Sequence, residues 1–118
     1  MKVKDLGKWG EELAILFLKE KGYKILARNY RNHFGEIDII ASLGEKIIFL
    51  EVKTRYSAQS GLPEEAINPK KIQKILKTAQ LYLLKNNLSL ENFRLEVIAL
   101  EIRKDGFPEI RHYKEVGI

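Results

Sequence analysis

The sequence predicts an α/β protein with a mixed central β-sheet flanked by helices. Two short runs rich in Ile and Val, at 37–41 and 47–52, are joined by a polar loop that contains Gly44, which predicts a β-hairpin. Both runs are apolar on each face, as expected for strands covered on both sides. Amphipathic helical patterns precede and follow this hairpin. The predicted order is therefore helix, three strands, helix and strand, with an extra edge strand at the end.

The first helix is predicted over 6–21, where apolar residues recur at helical spacing. Asp5 is a suitable N-cap, and Gly22 is suited to the C-terminal end. Glu11 and Glu12 lie in its second turn, where charged side chains usually face solvent. A strand over 23–30 and a basic turn over 31–35 then lead into the hairpin.

The hairpin carries charged residues in the most apolar part of the chain. If it folds symmetrically about 44–45, Asp38 faces Glu51 and Glu36 faces Lys53, and all four side chains share one face. Like charges opposed at about 5 Å repel each other, so this pair needs a cation, a shared proton or open water. A bulge or a one-residue slip would instead separate the two acids.

A loop over 55–68 follows, and then a second helix begins at Asn68 and Pro69 and runs to 85 or 86. Its lysines lie on a common face that either is solvated or binds a polyanion; they include Lys70, Lys71 and Lys74. A fourth strand is predicted over 93–102, and a short edge strand over 110–113.

Two acids and an ammonium group, Asp38, Glu51 and Lys53, suit metal-assisted hydrolysis of a phosphodiester. Carboxylate oxygens are ligands for Mg²⁺, which activates water and polarises the phosphoryl oxygen. A lysine can orient the water or stabilise the charge that develops on the phosphate. Taken alone, Glu-x-Lys in a strand is a weak signal, because salt-paired alternation also produces it.

Composition indicates one globular domain over 1–118, with 45% hydrophobic and 31% charged residues. The absence of cysteine excludes disulfides and zinc–thiolate sites. The longest apolar run near the N-terminus, 13–18, is too short for a signal core or a membrane span. We therefore expect a cytoplasmic protein without a membrane partner. The net charge of +5 suits a polyanion such as DNA.

The hairpin motif carries a resemblance to a known superfamily. Gly-Glu-Ile-Asp at 35–38, followed by Phe-Leu-Glu-Val-Lys-Thr-Arg at 49–55, resembles the PD-(D/E)xK superfamily of restriction-endonuclease-like nucleases. Along its whole length the chain is similar to the YraN-like family of predicted endonucleases. It is also similar to archaeal Holliday-junction resolvases. The resemblance implies a restriction endonuclease-like core and a Mg²⁺-dependent deoxyribonuclease in which Mn²⁺ can substitute.

The resemblance also implies roles for individual residues. Asp38 and Glu51 match the metal-binding acids, and Lys53 matches the catalytic lysine. Glu11 matches the helix-borne acid that completes the metal site, with Glu12 as the alternative. Glu36 either holds Lys53 or contacts substrate. For nucleic-acid binding we expect the basic residues Arg31, Arg55, Lys70, Lys71 and Lys74.

Two other functions remain open at this stage. The chain is either a nuclease, or a nucleic-acid-binding module that keeps the fold but cleaves little, or a scaffold whose acids form structural ion pairs. Linear, branched and damaged DNA, and RNA, are all open as substrates. A homodimer would suit symmetric cutting of two strands, and the resolvases that the chain resembles are dimers.

Overall fold

The structure is a computed structural model that describes residues 5–57 and 61–116. Its elements follow the predicted order, and the α/β class with a mixed sheet between helices is confirmed. They are α1 (Leu6–Glu20), β1 (Lys24–Asn32), β2 (Gly35–Leu43), β3 (Lys46–Tyr56), a 3₁₀ turn (Pro63–Ala66), α2 (Pro69–Lys85), β4 (Phe93–Ile102) and β5 (Pro108–Tyr113).

The five strands form one sheet in the order β1-β2-β3-β4-β5. Neighbouring strands are antiparallel except for β3 and β4, which are parallel. A parallel pair needs a crossover connection, and α2 provides it. The central strand β3 therefore has β2 from the hairpin on one side and β4 from the crossover on the other.

The helices cover opposite faces of this sheet. Along β3, Ile48, Leu50 and Val52 pack in a core cluster with the buried residues of α1. Phe49 points the other way and packs with the buried face of α2. The hairpin is thus buried on both sides, as its apolar runs predict.

Helix ends follow the local sequence signals. The side chain of Asp5 accepts a hydrogen bond from the Lys8 backbone N–H at 3.1 Å, and that of Asn68 accepts from Lys71 at 2.9 Å. Gly22 follows α1 with a φ of 91°, a conformation that glycine adopts without strain. Both predicted N-caps are confirmed.

Strand β3 is longer than the apolar run at 47–52 predicts. Its parallel ladder with β4 continues from Ile47↔Phe93 to Tyr56↔Ile102. Pairing with a buried neighbour thus extends β3 into a polar stretch, which places Lys53 and Arg55 on the sheet. Neither α1 nor α2, the helices of the described ranges, is long and apolar enough to cross a membrane.

Candidate functional site

The candidate site lies where β2 and β3 separate. The β2–β3 ladder has the predicted register from Leu43↔Lys46 to Ile39↔Leu50 and stops there. Regular alternation would place Ile37 and Ile39 on one face. Instead Ile37 packs on the α2 side and Ile39 on the α1 side, so β2 twists at Asp38.

Asn29 on β1 accompanies this twist. It lies between Arg28 and Tyr30, which pair with Ile39 and Ile37, and so stands opposite Asp38. Its φ of 52° is in the left-handed region, which asparagine tolerates better than most residues. An Asn inside a strand is a signal of irregular backbone.

Beyond the end of the β2–β3 ladder, the side chain of Asp38 forms a hydrogen bond with the backbone of β3. Its Oδ2 accepts from the Val52 backbone N–H at 2.8 Å. The carboxyl groups of Asp38 and Glu51 also lie close enough for each to shift the pKa of the other. The two acids therefore converge despite the twist.

Both acids hold protons more tightly than free carboxyl groups. Burial first, and then the charge of Asp38, raise the pKa of Glu51 to about 7. Burial also raises the pKa of Asp38, against the Val52 N–H, which lowers it. A buried acid pair with raised pKa values favours a cation, which would displace the proton that the raised pKa values retain.

Lys71 supplies part of that positive charge. Its Nζ lies 3.1 Å from Glu51 Oε1, and the Glu51 side chain is only 9% exposed. Lys71 is one of the lysines expected to bind nucleic acid, and that role stays a prediction. Because α2 lies on the same side of the sheet as Glu51, the first turn of this helix directs Lys71 at the acid.

Glu11, rather than Glu12, is directed at the acids. The pKa of Glu11 is raised by burial first and by the charge of Asp38 second, while Arg28 and Asn29 act to lower it. Glu12 is exposed and forms an ion pair with Arg28. The hydrogen bond with Arg28 lowers the pKa of Glu12.

Gly10 sets the distance between α1 and the sheet. A Cβ atom at this position would lie 1.9 Å from Thr54 Oγ1 on β3, so only glycine allows so close an approach. The next residue in the helix is Glu11. Close packing at Gly10 thus holds Glu11 near the acids of the strands.

The predicted pairing of Glu36 with Lys53 is wrong. Glu36 is exposed and its Oε2 lies 3.3 Å from Arg31 Nη2, opposite it on β1. The pairing fails because the β2–β3 ladder ends at Ile39, so Glu36 no longer lies across from β3.

The remaining predicted residues divide between the sheet and the surface. Lys53 and Arg55 are half-buried at alternate positions after Glu51, and within the part of the chain described here Lys53 makes no ion pair. Lys70 and Lys74 are exposed on α2, and Arg31 is exposed at the end of β1. Their role in nucleic-acid binding stays a prediction.

The carboxyl oxygens at this site would supply some, but not all, of the ligands that a hard cation such as Mg²⁺ requires. Asp38 and Glu51 provide two converging carboxyl groups, and Glu11 is close enough to Asp38 to raise its own pKa. Over residues 5–57 and 61–116, however, no three His, Cys, Asp or Glu side chains are placed as a group that could hold a metal ion. A third ligand from Glu11 would require its side chain to move.

Sequence comparisons agree on one family. The model of the uncharacterised protein family UPF0102 matches residues 10–100. A UPF0102 protein of Syntrophomonas wolfei is 42% identical over 109 residues, 92% of this chain and 94% of the relative. One of Persephonella marina is 47% identical over 80% of this chain and 81% of its own length. A third, of Clostridium botulinum strain 657, is 51% identical over 80% and 78%. The predicted YraN-like family is confirmed.

Proposed function

Since this chain belongs to the uncharacterised protein family UPF0102, we propose a function from the geometry of its site: Mg²⁺-dependent hydrolysis of phosphodiester bonds in DNA. The observation that carries this proposal is the convergence of Asp38 and Glu51 between separating strands. It agrees with the resemblance to PD-(D/E)xK nucleases. If these two acids had only a structural role, their mutual repulsion would destabilise the fold with nothing to offset it.

In this mechanism Asp38 and Glu51 would hold the cation, and Glu11 would contribute a further oxygen. Bound Mg²⁺ or Mn²⁺ would polarise the phosphoryl oxygen and lower the pKa of a water molecule. Lys53, which makes no ion pair among the residues described, is available to orient the attacking water or to stabilise charge on the phosphate. The basic side chains around the site bind the DNA backbone.

The net charge and the resemblance to resolvases indicate the class of substrate, and the chemistry of two-strand cutting indicates the oligomeric state. The chain's net charge of +5 favours a polyanion, and branched or damaged DNA is the class that the resemblance to resolvases suggests. Cutting of two strands at equivalent positions requires two active sites, so we include a homodimer in the proposal.

A second function is favoured by one contact. Lys71 already neutralises part of the charge of Glu51. A nucleic-acid-binding module with this fold would need no metal, and the ion pair would then be structural. The two functions differ in their response to divalent cations, which can be measured directly.

The first experiment is a thermal unfolding series with Mg²⁺ and Mn²⁺. A ligand that binds only the folded protein raises the melting temperature, so we expect a rise of several degrees at millimolar cation. Asp38→Ala should abolish the rise, whereas Asp105→Ala, in the distant turn before β5, should keep it. Equal rises in both variants, or none in the wild type, would favour the binding module.

The second experiment is cleavage of a panel of linear and branched DNAs. Lys53→Ala should lose cleavage but keep the cation-dependent rise in melting temperature, because its proposed role is in the reaction. Lys104→Ala, an exposed lysine in the turn before β5, serves as the matched control. Cleavage by the Lys53 variant at the wild-type rate would remove this lysine from the mechanism.

A further inference from the structure

A groove of about 530 Å³ lies beside the site, between the β1–β2 turn and the first turns of α2. Its lining includes Phe34 on one wall and Lys70, Lys71, Lys74 and Ile75 on the other. Lys71 also contacts Glu51, so this lining residue connects the groove with the acid pair.

The wall that carries Phe34 is fixed to the helix. Asn32 Nδ2 donates to the backbone carbonyl of Thr78 on α2 at 3.2 Å, and Asn32 Oδ1 accepts from the Phe34 backbone N–H at 3.0 Å. A Cβ atom at Gly35 would lie 3.1 Å from Thr78 Oγ1, so the turn packs tightly on α2. The groove is therefore largely preformed, and the Phe34 backbone is held in place.

Phe34 presents an aromatic surface to this groove. Its side chain is 43% exposed even though the ring of His33 lies 4.2 Å away, centroid to centroid, with an angle of 39° between the planes. An exposed aromatic ring on a rigid turn is a suitable platform for a nucleic-acid base, because every base has a π-face.

The charge of the groove suits a phosphate backbone. Lys70 and Lys74 are exposed one helical turn apart, and Lys71 lies at the inner end. The acid in the lining, Glu36, is paired with Arg31. A cationic wall opposite an aromatic wall is the combination found in sites for single strands.

We propose that this groove binds a single-stranded segment of nucleic acid. A base stacks on Phe34, and the flanking phosphates contact Lys70 and Lys74. Bases inside a duplex cannot stack on a side chain in this way, so the groove favours the unpaired arm of a branched DNA. The inference rests on the proposed function in one respect, namely that Lys71 leads the strand towards Glu51.

The test is fluorescence anisotropy with labelled oligothymidylate of about 12 nucleotides, a length within the range of single-strand sites. EDTA keeps cleavage out of the measurement. We expect Phe34→Ala to weaken binding at least about fivefold and Phe34→Trp to keep it, because tryptophan preserves stacking. The matched control is Phe107→Ala: Phe107 is 65% exposed in the turn before β5, and its removal should not change binding.

Two outcomes would overturn the inference. One is equal binding by the Phe34→Ala and Phe107→Ala proteins; the other is an equal loss by Phe34→Ala for the oligothymidylate and a blunt duplex of the same length. Both binding measurements are made without metal, so their result does not depend on whether the protein is a nuclease. Conversely, if Phe34→Ala does not weaken binding, the cation-dependent rise in melting temperature still tests the proposed function separately.

Discussion

Two buried carboxylates on neighbouring central strands, Glu51 on β3 and Glu96 on β4, have opposite environments. Glu96 is fully buried and accepts from the Tyr23 hydroxyl at 2.8 Å. Its Oε1 also lies 2.7 Å from His112 Nε2, and its Oε2 lies 3.2 Å from Arg94 Nη2. Glu51 has a lysine at 3.1 Å but also a second acid, Asp38, whose charge raises the pKa of Glu51.

The pKa values separate the two carboxyl groups. Burial alone would raise the pKa of Glu96, but bonds from His112 and Tyr23 and the charge of Arg94 hold it below its usual range. The pKa of Glu51 is raised, by burial and then by Asp38. A buried acid surrounded by donors stabilises the fold, whereas one placed against a second acid is suited to a ligand.

Removal of Glu96 should have the largest effect. In Glu96→Ala, His112 loses its buried partner and Arg94 keeps only Glu115 at 3.9 Å, so we expect the free energy of unfolding to fall by about 3–5 kcal/mol. Urea unfolding at neutral pH measures this change. Glu45→Ala, at an exposed position in the β2–β3 loop, should change it by less than about 0.5 kcal/mol. A comparable change in both variants would contradict the structural role of Glu96.

Asp38→Asn should have the opposite sign. The amide oxygen can still accept the Val52 N–H, while the repulsion with Glu51 is gone. We expect the metal-free protein at pH 8 to gain about 1 kcal/mol in the free energy of unfolding. Glu96→Gln, the same exchange in the other environment, should lose stability. If both Asp38→Asn and Glu96→Gln lower the free energy of unfolding, the environments of the two carboxyl groups do not differ as described.

The pH dependence of metal-free stability should report the Glu51 pair. The folded protein holds a proton on Glu51 that the unfolded chain releases, because the pKa is raised from 4.5 to about 7. This stability is fully present below pH 4.5 and is lost as the pH rises through about 7.

Urea unfolding from pH 4.5 to 8 in EDTA should therefore show a decline of up to about 3 kcal/mol, which Asp38→Asn reduces. The lowered pKa of Glu96 contributes in the other direction and only towards lower pH. If the stability of the wild type instead rises across this pH range, the folded protein favours the charged form of Glu51. That result would refute the contrast drawn between Glu51 and Glu96.

Lys71→Ala should have the smallest effect on stability. Lys71 is 36% exposed, so loss of its pair with Glu51 should cost about 0.5 kcal/mol at pH 8. The same variant should show a larger stabilisation by Mg²⁺ than the wild type, because the ammonium group no longer competes for Glu51. Lys77→Ala, exposed on the same helix, is the control. An unchanged response to Mg²⁺ would mean that Lys71 and the cation do not share the acid.

The fold could be predicted closely because its signals are local. The pair Asn68-Pro69 defines the start of α2, and the loop at Gly44 fixes the hairpin register from Ile39 to Leu50. These depend on neighbours in sequence and on turn geometry. The end of β3 is not predictable in this way, because its last residues are paired by β4, which is remote in sequence.

The site could be predicted only in part. A symmetric hairpin register predicts that Asp38 and Glu51 meet, but it does not predict the twist of β2 at Asp38, which separates Glu36 from Lys53. This twist accompanies the irregular backbone at Asn29 on β1. The contact between Lys71 and Glu51 depends on how α2 lies on the sheet. Side-chain partners brought together by packing leave no periodic trace in the sequence.

The parallel pairing of β3 with β4 has a consequence for how the chain folds. It joins positions that are 46 apart in sequence, from 47 to 93, so a long loop must close before the pairing gains any stability. The hairpin and α2 need only nearby contacts and can form earlier. We expect the docking of α2 and β4 to be the slow step in refolding, and Lys71 reaches Glu51 only when it is complete.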